Sequence, residues 1–346
     1  MPRKLKLNSL TSDKYAVEQL LSEAIEYGDV VGELQYREKL EKLDSEILLL
    51  KNANETHASV ALFFGGEPVL GSQGILASFA GNVLDNFQEL INKAFASKEN
   101  GSLGERGKIP LKANSNLMVT QVAKGSFGFI LDEISDQLEI TETALKHTVD
   151  EVLELIDASA QPNEEKFEKL IESLDKRVLQ SLKDFFITLD KAHSTMRLVG
   201  DEQEYCFDSS LIHRARQRTE ATEIDEDEEL VELKVLGLLP EHCKFEASTS
   251  EGKIIYGSTT RLAAEQFSSD LIGKLVSVNL MTKSIKPLHR PERVVYKLLE
   301  FIDKNYNKYS NPPHQKSHLS RWLLTGRKND EKMERKNGHP TLMARS

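Results

Sequence analysis

Across residues 12–27 (SDKYAVEQLLSEAIEY), Val17, Leu20, Leu21, Ala24 and Ile25 fall on one helical face, with Ser12 placed as the N-cap. Gly28-Asp29 interrupts the pattern. A second helix over about 30–52 resumes it with Val31, Leu34, Leu40, Leu43, Ile47 and Leu50, while charged residues cover the other face. Residues 1–55 therefore read as a helical hairpin that packs on the body or pairs with a second copy.

The pattern then changes period. Residues 59–64 are apolar and β-branched, Gly65-Gly66 is a two-residue turn signal, and 67–70 can pair back as a second strand. From Ile75 the spacing is helical again, with Phe79, Val83, Phe87, Leu90, Ile91 and Phe95 on one side. The stretch KENGSLGERGK reads as a loop, followed by strands at 116–123 and 126–134 joined at Lys124-Gly125. Two helices are expected at 141–157 and 163–193, then a short hairpin at 194–208 and a basic helical turn or two at 209–218. Residues 56–221 thus predict an α+β unit, an antiparallel sheet in ββαββ order covered by helices on one face.

An acidic run, TEIDEDEEL at 222–230, separates this unit from the next and reads as an extended linker, or as a segment that docks on the basic C-terminal end. Strands follow at 231–238, 243–248, 253–257, 274–281 and 293–301, with a helix-like stretch at 261–272. Over about 70 residues this order resembles an oligonucleotide-binding (OB) barrel; an SH3-like barrel or a plain α+β unit fits the same order. Residues 303–346 carry one apolar cluster, LSRWLL, and are otherwise so polar that most of the tail is expected to be disordered.

Composition narrows the class. The chain has 346 residues, enough for two or three domains, and no apolar run long enough to span a membrane. MPRKLKLNSL is basic without the apolar core of a signal peptide. Cys206 and Cys243 stand far apart and read as two reduced, mostly buried thiols of a cytoplasmic protein. The net charge of −10 is uneven: from Lys283 onward fifteen Lys and Arg face six Asp and Glu. That asymmetry points to a polyanion partner or to an internal charge contact.

Motifs for chemistry are weak. Gly65, Gly66, Gly71 and Gly74 match neither the dinucleotide fingerprint nor a Walker loop, because Ser72-Gln73 replaces the Lys and hydroxyl pair; a turn is the simpler reading and an anion site the alternative. GSQG and GSFG lack the G-x-S-x-G form of a nucleophile elbow. His314 and His318 stand at i,i+4 without a third metal ligand. Glu232-Leu233-Lys234 after Asp225 or Asp227 has the form of a nuclease carboxylate set, a form that arises often by chance in so charged a chain.

The strongest functional signal is the connection between the fourth and fifth barrel strands. It carries Lys283, Lys286, His289, Arg290 and Arg293, with Arg327 and Lys328 among further cations in the tail. In an OB barrel this loop borders the ligand groove, and Phe245 and Tyr256 are the stacking candidates beside it. The sequence thus predicts a non-enzymatic binding or adaptor protein with a protein partner and no cofactor, metal or membrane. A nucleic-acid-binding accessory subunit of a larger machine, using 283–336, is the second reading, and a metal-dependent nuclease or hydrolase the third.

Overall fold

A computed structural model describes residues 1–104, 106–123, 127–135, 141–287 and 291–302. It is a mixed α+β chain with a helical hairpin, a five-stranded antiparallel sheet backed by helices, and a closed five-stranded barrel. Among the described residues no helix is long and apolar enough to cross a membrane.

The hairpin forms, but its first helix begins at Arg3, so Ser12 lies inside it rather than at its N-cap, and Leu20, Ile25, Val31 and Leu34 are exposed instead of packed. Helix α1 (Arg3–Tyr27) ends at Gly28, whose φ of 69° is left-handed, and Asp29 caps α2 (Val30–Asn52) by accepting from the Gly32 N–H at 3.0 Å. Gly32 leaves room for that carboxylate, because a Cβ there would lie 2.3 Å from Asp29 Oδ2. The two helices meet along Leu7, Leu10, Lys14, Val17, Leu21 and Ala24 on α1 and Tyr36, Leu40, Leu43, Ile47 and Leu50 on α2. This alternation of three and four is a coiled-coil seam. Lys14 crosses it to Asp44 at 2.6 Å. The body is met at the hairpin's base, where Leu5 packs against Ala61, Phe63, Ile130 and Val199, and the Arg3 N–H donates to Asp201.

The sheet departs from the expected ββαββ order. Strand β1 (Ser59–Gly66) pairs with neither half of a local hairpin; residues 69–70 (β2, Val69–Leu70) instead form a small ribbon with β3 (Gly74–Ile75). Both edges of β1 are taken by distant strands, β5 (Phe127–Asp132) and β6 (Ser194–Val199). Gly66 permits the second pairing: with φ +83°, it approaches the backbone so closely that a Cβ would lie 2.4 Å from the His193 carbonyl. With β4 (Met118–Ala123) and β7 (Glu204–Phe207) the order is β4-β5-β1-β6-β7. Alternate residues of β1 serve opposite faces. Val60, Leu62 and Phe64 enter the main core, while Ala61 and Phe63 face the hairpin base, so the whole VALFF run is buried.

Helices α3 (Ala77–Asn100), α4 (Ala144–Ala160), α5 (Glu165–Ser173), α6 (Lys176–Lys191) and α7 (Ser209–Ala221) cover the other face. The single long helix expected at 163–193 is two. Asp175 interrupts it as the N-cap of α6, accepting from Arg177 N–H at 2.7 Å and Leu103 N–H at 2.7 Å. Cys206 and Cys243 are free thiols, but Cys206 is exposed rather than buried, since it lies on edge strand β7.

The acidic run is not a linker. It forms the first half of β8 (Glu223–Leu239), a 17-residue strand whose early part pairs with β11 (Leu275–Lys286), placing Glu226 opposite Lys283 and Glu223 opposite Lys286. Cross-strand cations offset the self-repulsion that the run has by itself. With β9 (Lys244–Ser248), β10 (Ile254–Thr259) and β12 (Arg293–Ile302) the barrel closes in the order β10-β12-β11-β8-β9, where β10 and β12 run parallel. A short helix, α8 (Arg261–Gln266), stands between its third and fourth strands, as the sequence predicts.

Candidate functional site

Of the described cations expected on an outward loop, Lys283 is buried, while Lys286 and Arg293 stay partly exposed but paired with carboxylates of this chain. Lys283 is part of β11, 6% exposed, and its ammonium donates to the carbonyls of Ile171 at 2.9 Å, Glu172 at 3.0 Å and Leu174. These carbonyls end α5, where the helix dipole is negative and the last C=O groups lack intrahelical donors. Burial pushes the Lys283 pKa down to about 8, while Glu226 and Asp175 oppose the shift. Lys286 lies 3.6 Å from Asp225 and 3.9 Å from Glu292. Arg293 reaches Glu168 at 2.8 Å and Glu172 at 3.6 Å. These three side chains therefore join the barrel to its own strands and to α5. His289, Arg290, Arg327 and Lys328, with His314 and His318, lie outside the described residues.

The two aromatic candidates part company. Phe245 is buried in the barrel core beside Ala247, Ile255 and Leu298, so it offers no ring to a ligand. Tyr256 is 79% exposed on β10, opposite Glu246 of β9. Lys244 is exposed on the neighbouring strand β9 and Lys234 on β8 beyond it, and neither makes an ion pair with a described residue. Sequence reasoning weighed Lys234 only within the Glu232-Leu233-Lys234 triplet and Lys244 not at all; period-two alternation in VELKVL and CKFEAS marks both as outward-facing.

Basic residues of α7 follow the same inward use. Arg218 donates to the carbonyls of Ala158, Ser159 and Gln161 at the end of α4, and Arg214 to that of Ala160. Burial lowers the Arg218 pKa from its ordinary value, with Glu164 opposing. Two helix C-termini are thus capped by long cations from elsewhere in the chain.

Between the helices and the barrel lies a cleft of about 510 Å³. Val152, Leu155, Leu170, Leu174, Met281 and Val295 give it apolar walls. Its charged groups are the carboxylates Glu151, Glu154, Glu172, Asp175 and Glu226 against Lys98, Lys283 and Lys297. Burial holds the Glu226 carboxyl above its usual range; Lys283 offsets part of this and Asp175 adds to it. This is a concave, largely apolar space with a few convergent polar groups, the form that ligand sites take.

A third feature is the free end of the hairpin. Around the Gly28-Asp29 turn, Tyr27 is 83% exposed and Leu34 71%, with Val30 and Val31 nearly as open. Glu23, Glu26 and Asp29 surround them.

The groups proposed for hydrolysis do not converge. Asp227 and Glu232 share strand β8 five residues apart, roughly 17 Å at the rise of a strand, too far to hold one metal ion. Among the described residues no three His, Cys, Asp or Glu side chains gather as a metal site. Gly71, with φ 53°, opens the turn of the β2–β3 ribbon, and Gly74 begins β3 opposite Leu70. No family model, no curated protein and no solved structure matches the chain.

Proposed function

We infer that the protein is a non-enzymatic adaptor that holds a protein partner on the tip of the α1–α2 hairpin. One observation carries this reading: Tyr27, Val30, Val31 and Leu34 are exposed together at the end of a projecting two-helix arm, where they add nothing to this chain's own core. Helix α1 alone has 25 residues, on the order of 37 Å of length. Clustered apolar side chains kept in water at such a place mark an interaction surface. The acidic surround selects a partner with an apolar groove and a basic rim. The test is co-purification followed by titration of the isolated partner. Val31→Asp with Leu34→Asp should abolish binding while circular dichroism shows the hairpin still helical. Unchanged affinity, or a chain that retains no partner, overturns the reading.

A second reading, nucleic-acid binding at the barrel, is favoured by a different observation. Numbered within the barrel, its strands close in the order 1-2-3-5-4, with the third and fifth parallel, an order that supports the OB-type interpretation over an SH3-like one. In OB barrels the face of strands 2 and 3 meets the oligonucleotide. Here that face presents Tyr256 and Lys244, with Lys234 beyond them on the first barrel strand, so the ligand would lie there, with the tail cations as a supplement.

A further inference from the structure

We propose that the segment Leu319–Leu324 (LSRWLL) of this same chain docks into the cleft between the helices and the barrel. The cleft offers what such a segment needs. Its walls are apolar, and five carboxylates outnumber three ammonium groups around it. Of those three, Lys283 is spent on the α5 carbonyls and Lys98 on Glu151 at 2.6 Å, while Glu154 and Glu172 face Lys166 and Arg293 from outside the cleft. The segment is complementary: three leucines and the chain's single tryptophan, with Arg321 inside the cluster and Arg327 and Lys328 just after it. Residues 303–346 as a whole carry ten Lys and Arg against four Asp and Glu.

Reach agrees with charge. Strand β12 supplies Val295 and Lys297 to the cleft wall and ends at Ile302, so the tail starts about 20 Å from the cleft, at roughly 3.3 Å per residue. Sixteen residues separate Ile302 from Leu319. A flexible chain of that length would have an average span of about 20–25 Å. A tether whose span matches the separation gives an effective concentration in the mM range, so even a weak apolar contact is populated.

Because Trp322 is the only tryptophan, its fluorescence in the intact chain reports docking directly. The expected result is blue-shifted emission shielded from acrylamide. Reversing two cleft carboxylates of α4, Glu151→Lys with Glu154→Lys, should lower the docked fraction roughly fivefold, and raised salt should act in the same direction. Far-ultraviolet dichroism of the variant controls for folding. A water-exposed tryptophan spectrum in the wild type overturns the proposal. So does shielding that the double reversal leaves unchanged, or shielding that grows with protein concentration, which would assign the contact to a second copy.

Discussion

The ammonium of Lys283, on the fourth strand of the barrel, donates at 2.9 Å to the main-chain carbonyl of Ile171 near the end of α5. Two further carbonyls of the same helix end complete its donors. The barrel is therefore held to the helical layer by a buried cation that faces a helix terminus, a contact worth most where water is excluded.

That placement has a pH signature. The folded pKa of Lys283, about 8, is below its ordinary 10.5. Between those values the unfolded chain binds the proton more readily than the folded one, so this group's contribution to stability rises as pH climbs from about 8 to 10.5. Over that window the wild type should gain roughly 1–3 kcal/mol relative to Lys283→Met. Denaturant midpoints of both proteins across the range give the difference; a flat or falling curve contradicts the buried-ammonium arrangement.

A second buried cation sits near the hairpin base. Lys146 of α4 meets Asp201 at 2.6 Å with both side chains nearly inaccessible, and Asp201 also accepts the Arg3 N–H at the hairpin base. Burial would lower the Lys146 pKa, but the hydrogen bond and charge of Asp201 outweigh it and hold it above its ordinary value. Removing one partner strands the other, so Lys146→Met should cost about 3–5 kcal/mol. Adding Asp201→Asn should cost much less than a second independent loss, which a double-mutant cycle in urea measures. Additive costs would mean the two groups do not act as a pair.

These two lysines show where the sequence was readable. The VALFF strand, the two hairpin helices and the barrel strands carry local patterns and each forms, although α1 begins at Arg3 rather than near Ser12 and β8 at Glu223 rather than at 231. What the pattern could not supply is set by residues far away. Lys283 looked like a loop cation because its acceptors lie more than a hundred residues earlier, at the end of α5. The acidic run looked like a linker because the lysines that offset it arrive only with β11. The break between α5 and α6 did have a local sign, the N-cap Asp175, but Leu174 and Val178 continue the apolar spacing across it and conceal the stop.

Position 128 tests the sheet itself. Phe63 pairs with Gly128 on one side and with Arg197 on the other, whose guanidinium lies 4.4 Å from the ring centroid. A Cβ at Gly128 would lie 2.3 Å from Phe63 Cδ1, and the ring is packed under the hairpin base. Gly128→Ala should therefore destabilise by about 1–3 kcal/mol. In a Phe63→Leu background the same change should cost less, because the smaller side chain leaves room. Equal costs in both backgrounds, measured by thermal or denaturant unfolding, would place the ring elsewhere.

The barrel face supplies the prediction that separates the two functional readings. If Tyr256 stacks on a base, Tyr256→Ala should weaken binding of a mixed-sequence single-stranded oligonucleotide by about 1–3 kcal/mol, at least several-fold in Kd. Lys234→Glu with Lys244→Glu should weaken it further and flatten its salt dependence, because each phosphate contact contributes roughly 0.7 to the logarithmic slope for a single strand. Neither change touches the core, since all three side chains are exposed, so folding is a simple control. Lys286→Glu and Arg293→Glu serve as the contrast. Arg293 already faces Glu168 and Glu172 of α5, and Lys286 faces Asp225 and Glu292 within the barrel, so reversing them should disturb the α5 junction and the barrel's own strand contacts more than it disturbs binding. Binding that ignores Tyr256, Lys234 and Lys244 yet vanishes with Lys286 and Arg293 would move the ligand to the loop after β11; no binding even at low salt leaves the hairpin tip as the functional surface.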